Sequence, residues 1–336
     1  MLTNGDASEG ADEAQTVAET HAGPRSVSIV VCSRDRPDQL AQSLAAIGQV
    51  RLPGDQLIVV DSASGTPDTQ RVAHEGGADV VVRCELKGLS RARNAGLRAS
   101  TADVVVFTDD DCRPETGWIE GLLEGLSADD AVVATGAVVP LGEGFLSGMT
   151  HATGERQTHP IATNPLGHGA NMAMRRQALE DIGGFDEQLG AGAPLRAADD
   201  WDVFLRLLRT GGALVYVPGA VVRHEQWRAT SQALRVRLGY SMGAGALAVK
   251  CWRLGGAADQ RQARLLLGSR LREGAMAVVV GIVTLRWFRT ASGLVTLVGA
   301  TRGLCSALLR RVDDGHLSAP RTRWWSRAAR LRTGEP

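Results

Sequence analysis

Residues 104–112 read Val-Val-Val-Phe-Thr-Asp-Asp-Asp-Cys, an apolar run that stops at three consecutive carboxylates. A short β-branched run bounded by polar residues has the pattern of a buried strand, which leaves the acids in the loop at its carboxyl end. The same pattern recurs toward the amino terminus. Val27-Ser28-Ile29-Val30-Val31-Cys32 opens into Ser33-Arg34-Asp35, and Leu57-Ile58-Val59-Val60 opens into Asp61-Ser62-Ala63-Ser64-Gly65. A further strand is expected at 78–83. Helical patterns separate these strands. Pro37 suits a first helical turn, with Leu40, Leu44 and Ile47 at helical spacing, and residues 90–99 form a second amphipathic segment. The alternation implies an α/β fold with a mostly parallel, Rossmann-like sheet and right-handed crossovers. Ligands bind outside the carboxyl ends of such strands, where Asp35, Asp61 and Asp109–Asp111 all fall.

Further along, 132–139 reads as a strand and 167–174 as a glycine-rich turn entering another. A short helix at 178–182 ends at Gly183-Gly184, and a longer one at 201–209 carries Phe204, Leu205, Leu207 and Leu208. Two last strands are expected at 214–217 and 220–222, with His224 just beyond. A boundary near residue 228 then divides the chain into an acidic, disordered tail (1–25), a catalytic α/β domain (26–228) and a basic helical region (229–336). Charge supports that division. Residues 1–227 carry 18 Lys and Arg against 32 Asp and Glu, whereas 228–336 carry 19 against 5, so a net charge of zero hides two opposed halves. The acidic half suits a metal and a nucleotide held through it; the basic half suits anionic lipid or a phosphate-bearing acceptor.

Three adjacent carboxylates repel one another unless a cation sits among them. Oxygen ligands in that number suit Mg²⁺ or Mn²⁺, usually held together with substrate phosphates. A helix N-cap is the alternative, but one Asp would satisfy it. A second acidic cluster, Asp199-Asp200-Trp201-Asp202, enters a helix, where one carboxylate beside another gains proton affinity and suits a general base. Acidic first-turn capping explains that cluster alone equally well. His224 is a candidate metal ligand through its neutral imidazole. Lys87-Gly88-Leu89-Ser90-Arg91-Ala92-Arg93-Asn94-Ala95-Gly96 surrounds a helix N-terminus with basic residues, which fits either a diphosphate site or a solvated basic helix.

The order of these stretches, with Gly169-Ala170-Asn171-Met172-Ala173 and Ile182-Gly183-Gly184-Phe185-Asp186-Glu187 following, resembles the family 2 glycosyltransferases and their GT-A fold over residues 26–226. The resemblance implies an inverting transferase that moves a sugar from a nucleoside diphosphate to an acceptor hydroxyl without a covalent intermediate. Asp61 would bind the base or ribose, with Ser33 and Asp35 lining the same pocket and Arg93 near the diphosphate. Asp109 and Asp111 match the family's Asp-x-Asp metal motif, Asp110 lies between them on the nucleotide, and His224 would complete the metal shell. Asp200 matches the aspartate of a Glu-Asp pair that serves as catalytic base. Asp199 stands where Glu is commoner, which leaves the division of labour between the two open.

The expected partners are a nucleoside-diphosphate sugar, a UDP-sugar first among them, and a hydroxyl on a glycan, a lipid-linked acceptor or a natural product. A sugar nucleotidyltransferase is disfavoured because its phosphate loop needs glycines, and 33–37 has none. A non-catalytic carbohydrate- or membrane-binding protein is the other alternative. The basic half carries no nucleic-acid motif, so no nucleic-acid partner is expected. Five scattered cysteines match no zinc or redox spacing and read as reduced thiols in a cytoplasmic protein. The first residues lack a basic and apolar leader. Two apolar stretches, 274–285 and 291–300, are each shorter than the roughly 20 residues that a membrane span needs. With the Arg- and Trp-rich 321–327 they suggest association with the inner face of a membrane.

Overall fold

The computed structural model describes residues 26–142, 150–160, 166–226 and 232–318. In chain order the elements are β1 (Val27–Ser33), α1 (Pro37–Val50), β2 (Gln56–Ser62), α2 (Asp68–Glu75), β3 (Val80–Cys84), α3 (Leu89–Ala99), β4 (Val104–Asp109) and β5 (Cys112–Pro114). There follow α4 (Trp118–Gly125), β6 (Ala131–Leu141), β7 (Glu155–Gln157), β8 (Asn171–Arg175), α5 (Arg176–Asp181), α6 (Asp199–Arg209) and β9 (Ala213–Glu225). Three long helices, α7 (Ala233–Leu254), α8 (Ala257–Val283) and α9 (Trp287–Leu308), precede a short hairpin of β10 (Val312–Asp313) and β11 (His316–Leu317).

The main sheet runs β3-β2-β1-β4-β8-β6-β9-β5, with β7 also on β9. Its first four strands are parallel. The remainder is mixed: β8 runs against β4 and β6, β6 and β9 are parallel, and β5 and β7 oppose β9. Both faces are covered, which is why the parallel strands are apolar throughout. Ile29, Val31, Leu57, Val59 and Val106 pack under Leu40, Leu44 and Ile47 of α1. Their neighbours Val30, Ile58, Val60, Val105 and Phe107 face α3 and α6 on the opposite side. A Cβ on Gly96 would stand 2.3 Å from Val30, so glycine there lets α3 lie close against β1.

The last strand of the main sheet differs from expectation in a way that matters to the site. Residues 214–217 and 220–222 are parts of one strand, β9, interrupted by a bulge where Gly136 and Ala137 pair with Val217 and Val221. Pro218 and Gly219 make the interruption look like a strand end in sequence. Asn171 holds the bulge: its amide donates to the carbonyls of Ala137 (2.9 Å) and Ala220 (2.8 Å) and accepts from the Trp118 indole (2.8 Å). Beyond the bulge β9 continues, so His224 lies within the strand and pairs with Cys112.

The three long helices form a bundle packed on glycines. A Cβ on Gly245 would meet the Ala300 carbonyl oxygen at 2.1 Å, and one on Gly303 would meet that of Met242 at 1.9 Å. The bundle sits against the α/β domain through Trp201 and Leu205 of α6, which pack on Leu247, Ala248 and Cys251 of α7. Lys250 is fully buried at this junction, 2.7 Å from Asp186 and 2.6 Å from Asp202. The expected tail at 1–25, the boundary at 228 and the Arg- and Trp-rich 321–327 lie outside the described residues. All five cysteines are free.

Candidate active site

The carboxyl ends of β1 and β4 and the amino end of α6 open onto one cleft of about 780 Å³, roofed by α7. Ser33, Arg93, Asp109, Asp111, Asp199, Asp200 and His224 line it. Of the residues expected at the site from sequence, these seven are brought together.

Two arginines hold the acidic residues from opposite sides. Arg36 contacts Asp110 at 2.5 Å and Asp111 at 2.9 Å. Arg93, only 3% exposed, contacts Asp199 at 2.6 Å and Asp109 at 3.3 Å, and donates to the Gly169 carbonyl at 2.8 Å. Arg93 is therefore neither a solvated helix residue nor a free anion clamp. It joins the strand carrying the first acidic cluster to the helix carrying the second. Its neighbours on α3 are equally committed: Asn94 exchanges two hydrogen bonds with the Phe185 backbone, and Arg91 pairs with Glu187 at 2.9 Å. The glycine pair at 183–184, both with positive φ, brings that loop to α3.

Three expected residues do not line the cleft. Asp110 is fully buried, accepting from the Ser33 hydroxyl at 2.6 Å and paired with Arg36. Asp110 lies in the turn between β4 and β5, where Ser33 and Arg36 hold it inward while Asp109 and Asp111 line the cleft. Burial, with Asp111 and Asp109 adding to it, pushes the Asp110 carboxyl up to about 7, although Arg36 opposes the shift. Asp61 is also fully buried, accepting from the Ser64 amide (2.8 Å), Gln70 (2.9 Å) and Arg83 (2.6 Å). These bonds, outweighing the burial penalty, hold its carboxyl below the usual range. Asp35, at φ 53°, accepts from the Gly65 amide at 2.7 Å and ties the first loop to the second.

Asp109 and Asp111 meet His224 across the β5–β9 pairing. The imidazole Nε2 is 3.3 Å from Asp111 Oδ1. Against the burial penalty, Arg93, His168, His224 and Arg36 hold Asp109 below the usual carboxylate range, so it is ionised. Ligating atoms of Asp111, Cys112 and His224 lie within 4.8 Å of one another. Burial, with Asp109 and Asp111 beside it, pushes the Cys112 thiol well up. Asp111 and His224, with Asp109 lining the same cleft at the end of β4, offer the oxygen and imidazole donors that a borderline-hard divalent cation takes.

The second cluster divides its work. Asp199 is buried against Arg93; burial, opposed by Arg93 and reinforced by Asp200, pushes its carboxyl up to about 6. Asp200 is partly exposed to the cleft and accepts from the amides of Gly169 (2.9 Å) and Trp201 (2.8 Å), which fix its carboxylate. A Cβ on Gly169 would come within 3.2 Å of Asp200 Cβ and 2.9 Å of Arg93 Nη2, so the glycine permits this packing.

Lys87, which opens the basic stretch read as a candidate diphosphate site, lines the cleft, whereas sequence reasoning missed Arg36, His168 and Arg196 on its wall and Arg237 and Tyr240 of α7 on its roof. Arg36 was readable as a basic residue in the first loop. The roof residues come from a helix whose position follows only from tertiary packing.

Comparison with known proteins agrees with this geometry. Residues 28–183 match the family described as Glycosyl transferase family 2. The pre-mycofactocin glycosyltransferase of Mycobacterium tuberculosis is 29% identical over 313 residues, covering 86% of this chain and 64% of that protein. The chain thus spans under two thirds of that relative's length. The mannosyltransferase PcManGT from Pyrobaculum calidifontis, solved with GDP-Man and Mn²⁺, superposes with a TM-score of 0.60 at 19% identity, covering 84% of this chain and 88% of that one. GalNAc-T7, solved with UDP, GalNAc and Mn²⁺, gives 0.50 at 14% identity, covering 73% and 54%. The fold is GT-A, and residues 28–183 are similar to the family 2 glycosyltransferases.

Proposed function

We propose that the chain moves a glycosyl unit from a nucleoside-diphosphate sugar to an acceptor hydroxyl, inverting the anomeric centre, with Asp200 as general base. The observation that carries this reading is the placement of Asp200. Its carboxylate is fixed by two backbone amides and opens onto the cleft that also holds Asp109, Asp111 and His224. An acceptor hydroxyl seated there would give its proton to Asp200 while its oxygen forms the new bond to the anomeric carbon and the diphosphate departs. Asp199 stays against Arg93 and positions that helix end.

Asp109, Asp111 and His224 would hold a divalent cation, which when bound neutralises the departing diphosphate as a Lewis acid. An imidazole in the donor set favours Mn²⁺ over Mg²⁺. The Mn²⁺ in the PcManGT and GalNAc-T7 structures supports that choice, while their GDP-Man and UDP leave the base open here. Ser33 and the loops braced by Asp35 and Asp61 would receive the nucleoside.

Asp200→Asn tests the reading. It keeps the shape and one acceptor oxygen, so donor binding is retained while release of nucleoside diphosphate falls at least about a hundredfold. Near-normal turnover would remove Asp200 from the role.

A further inference from the structure

We infer that the turn joining α8 to α9 docks on an anionic phospholipid bilayer. The helices carry a continuous exposed apolar face there. On α8, Met276, Val279 and Val283 are 56%, 56% and 76% exposed at helical spacing; on α9, Trp287, Leu294 and Val298 are 75%, 51% and 50% exposed. Leu285, at the turn itself, is 91% exposed. Scattered apolar residues on a surface are ordinary, but a two-helix face ending in Leu, Trp and Phe marks a partner.

Charge identifies the partner. Between Glu273 and Asp313 the chain carries no carboxylate, while Arg286 and Arg289 bracket Trp287 and Phe288 at the turn. A second copy of so basic a tip would be repelled, whereas lipid phosphates are attracted and apolar side chains enter below them. The apolar part of α8 beyond Glu273 is about 15 Å long, against about 30 Å for a bilayer core. Among the described residues α9 alone is long and apolar enough to cross a membrane, but its small-residue side is packed on α7 and α8, with Gly299 and Gly303 against α7. The tip therefore enters the interface without spanning it.

The cleft reaches this tip. Arg237, Glu273, Phe288 and Ser292 line both the main cleft and an adjoining depression of about 410 Å³ that continues to Met276 and Arg289. Docking would place that opening at the lipid surface, so an amphiphilic acceptor could reach Asp200 without leaving the bilayer. This consequence rests on the transferase reading; the docking itself does not.

The test is co-sedimentation of the full chain with vesicles of phosphatidylglycerol and phosphatidylcholine, and of phosphatidylcholine alone. Binding to the anionic vesicles is expected, with Val283→Glu/Trp287→Glu weakening it at least about tenfold. Nucleotide binding by the variant reports whether it folds. Hydrogen exchange of the wild type should slow across 276–298 when anionic vesicles are added. Unchanged binding by the folded variant, no binding by the wild type, or protection only outside 276–298 would each overturn the proposal. Self-association lost in the variant without vesicle binding would assign the face to a second copy instead.

Discussion

Removing the Lys250 ammonium should destabilise the protein more than any exposed substitution, because that group is the cation between two buried carboxylates. Lys250 Nζ lies 2.7 Å from Asp186 Oδ2 and 2.6 Å from Asp202 Oδ1. Those oxygens are therefore at most about 5.3 Å apart, and without the ammonium they repel by about 3 kcal/mol at an effective dielectric of 20. Loss of one partner from a buried ion pair typically costs about 3–5 kcal/mol, which brackets the same figure. Lys250→Met keeps the length of the side chain and removes the charge. At about 2–4 °C per kcal/mol, its melting temperature should fall by on the order of 10 °C. The loss also has a pH signature. Burial pushes the Asp202 carboxyl up, but Arg206 and Lys250 outweigh it and hold the group below the usual range. A depressed carboxyl contributes stability above its unfolded pKa of 3.8 and loses it as pH falls through the folded value. The deficit of Lys250→Met should therefore be full at pH 7 and shrink below about pH 4. Urea denaturation at the two pH values measures both. A variant as stable as wild type at pH 7, or a deficit that grows on acidification, would refute the reasoning.

Arg93→Lys cannot span Asp199, Asp109 and the Gly169 carbonyl at once, so turnover should fall roughly a hundredfold through misplacement of the acids; unchanged kinetics would deny Arg93 its positioning role. Gly169→Ala crowds Arg93 and Asp200 and should lower turnover with a smaller effect on the melting temperature; a variant that loses stability but keeps turnover would contradict the packing described. Gly245→Ala should cost about 1–3 kcal/mol by pushing α7 from α9. Calorimetric melting reads that cost, and a neutral result would mean the helices separate freely.

The parallel half of the sheet was legible because buried parallel strands are written as continuous apolar runs. The stretches 27–32, 57–60 and 104–107 need only their neighbours to be read. The acids at their ends were legible for the same reason. Their division of labour was not, because only the turn between β4 and β5, with Ser33 and Arg36 meeting Asp110, sends that residue inward while its neighbours face the cleft. His224 was seen as a candidate but placed beyond a strand end, since Pro218 and Gly219 hide the continuity that Asn171 restores from β8. Asp199 and Asp200 looked alike in sequence; Arg93, more than 100 residues away in the chain, distinguishes them. Lys250 was invisible as a buried cation, because nothing within α7 announces the two carboxylates that meet it.

The most direct test of the proposed chemistry is calorimetric titration of wild type and Asp111→Asn with UDP, GDP and dTDP, with and without Mn²⁺. One nucleotide should bind wild type tightly only when Mn²⁺ is present, and Asp111→Asn should abolish that metal dependence. Binding that ignores Mn²⁺, or that survives unchanged in Asp111→Asn, would contradict the assignment of Asp109, Asp111 and His224 to a cation on the diphosphate.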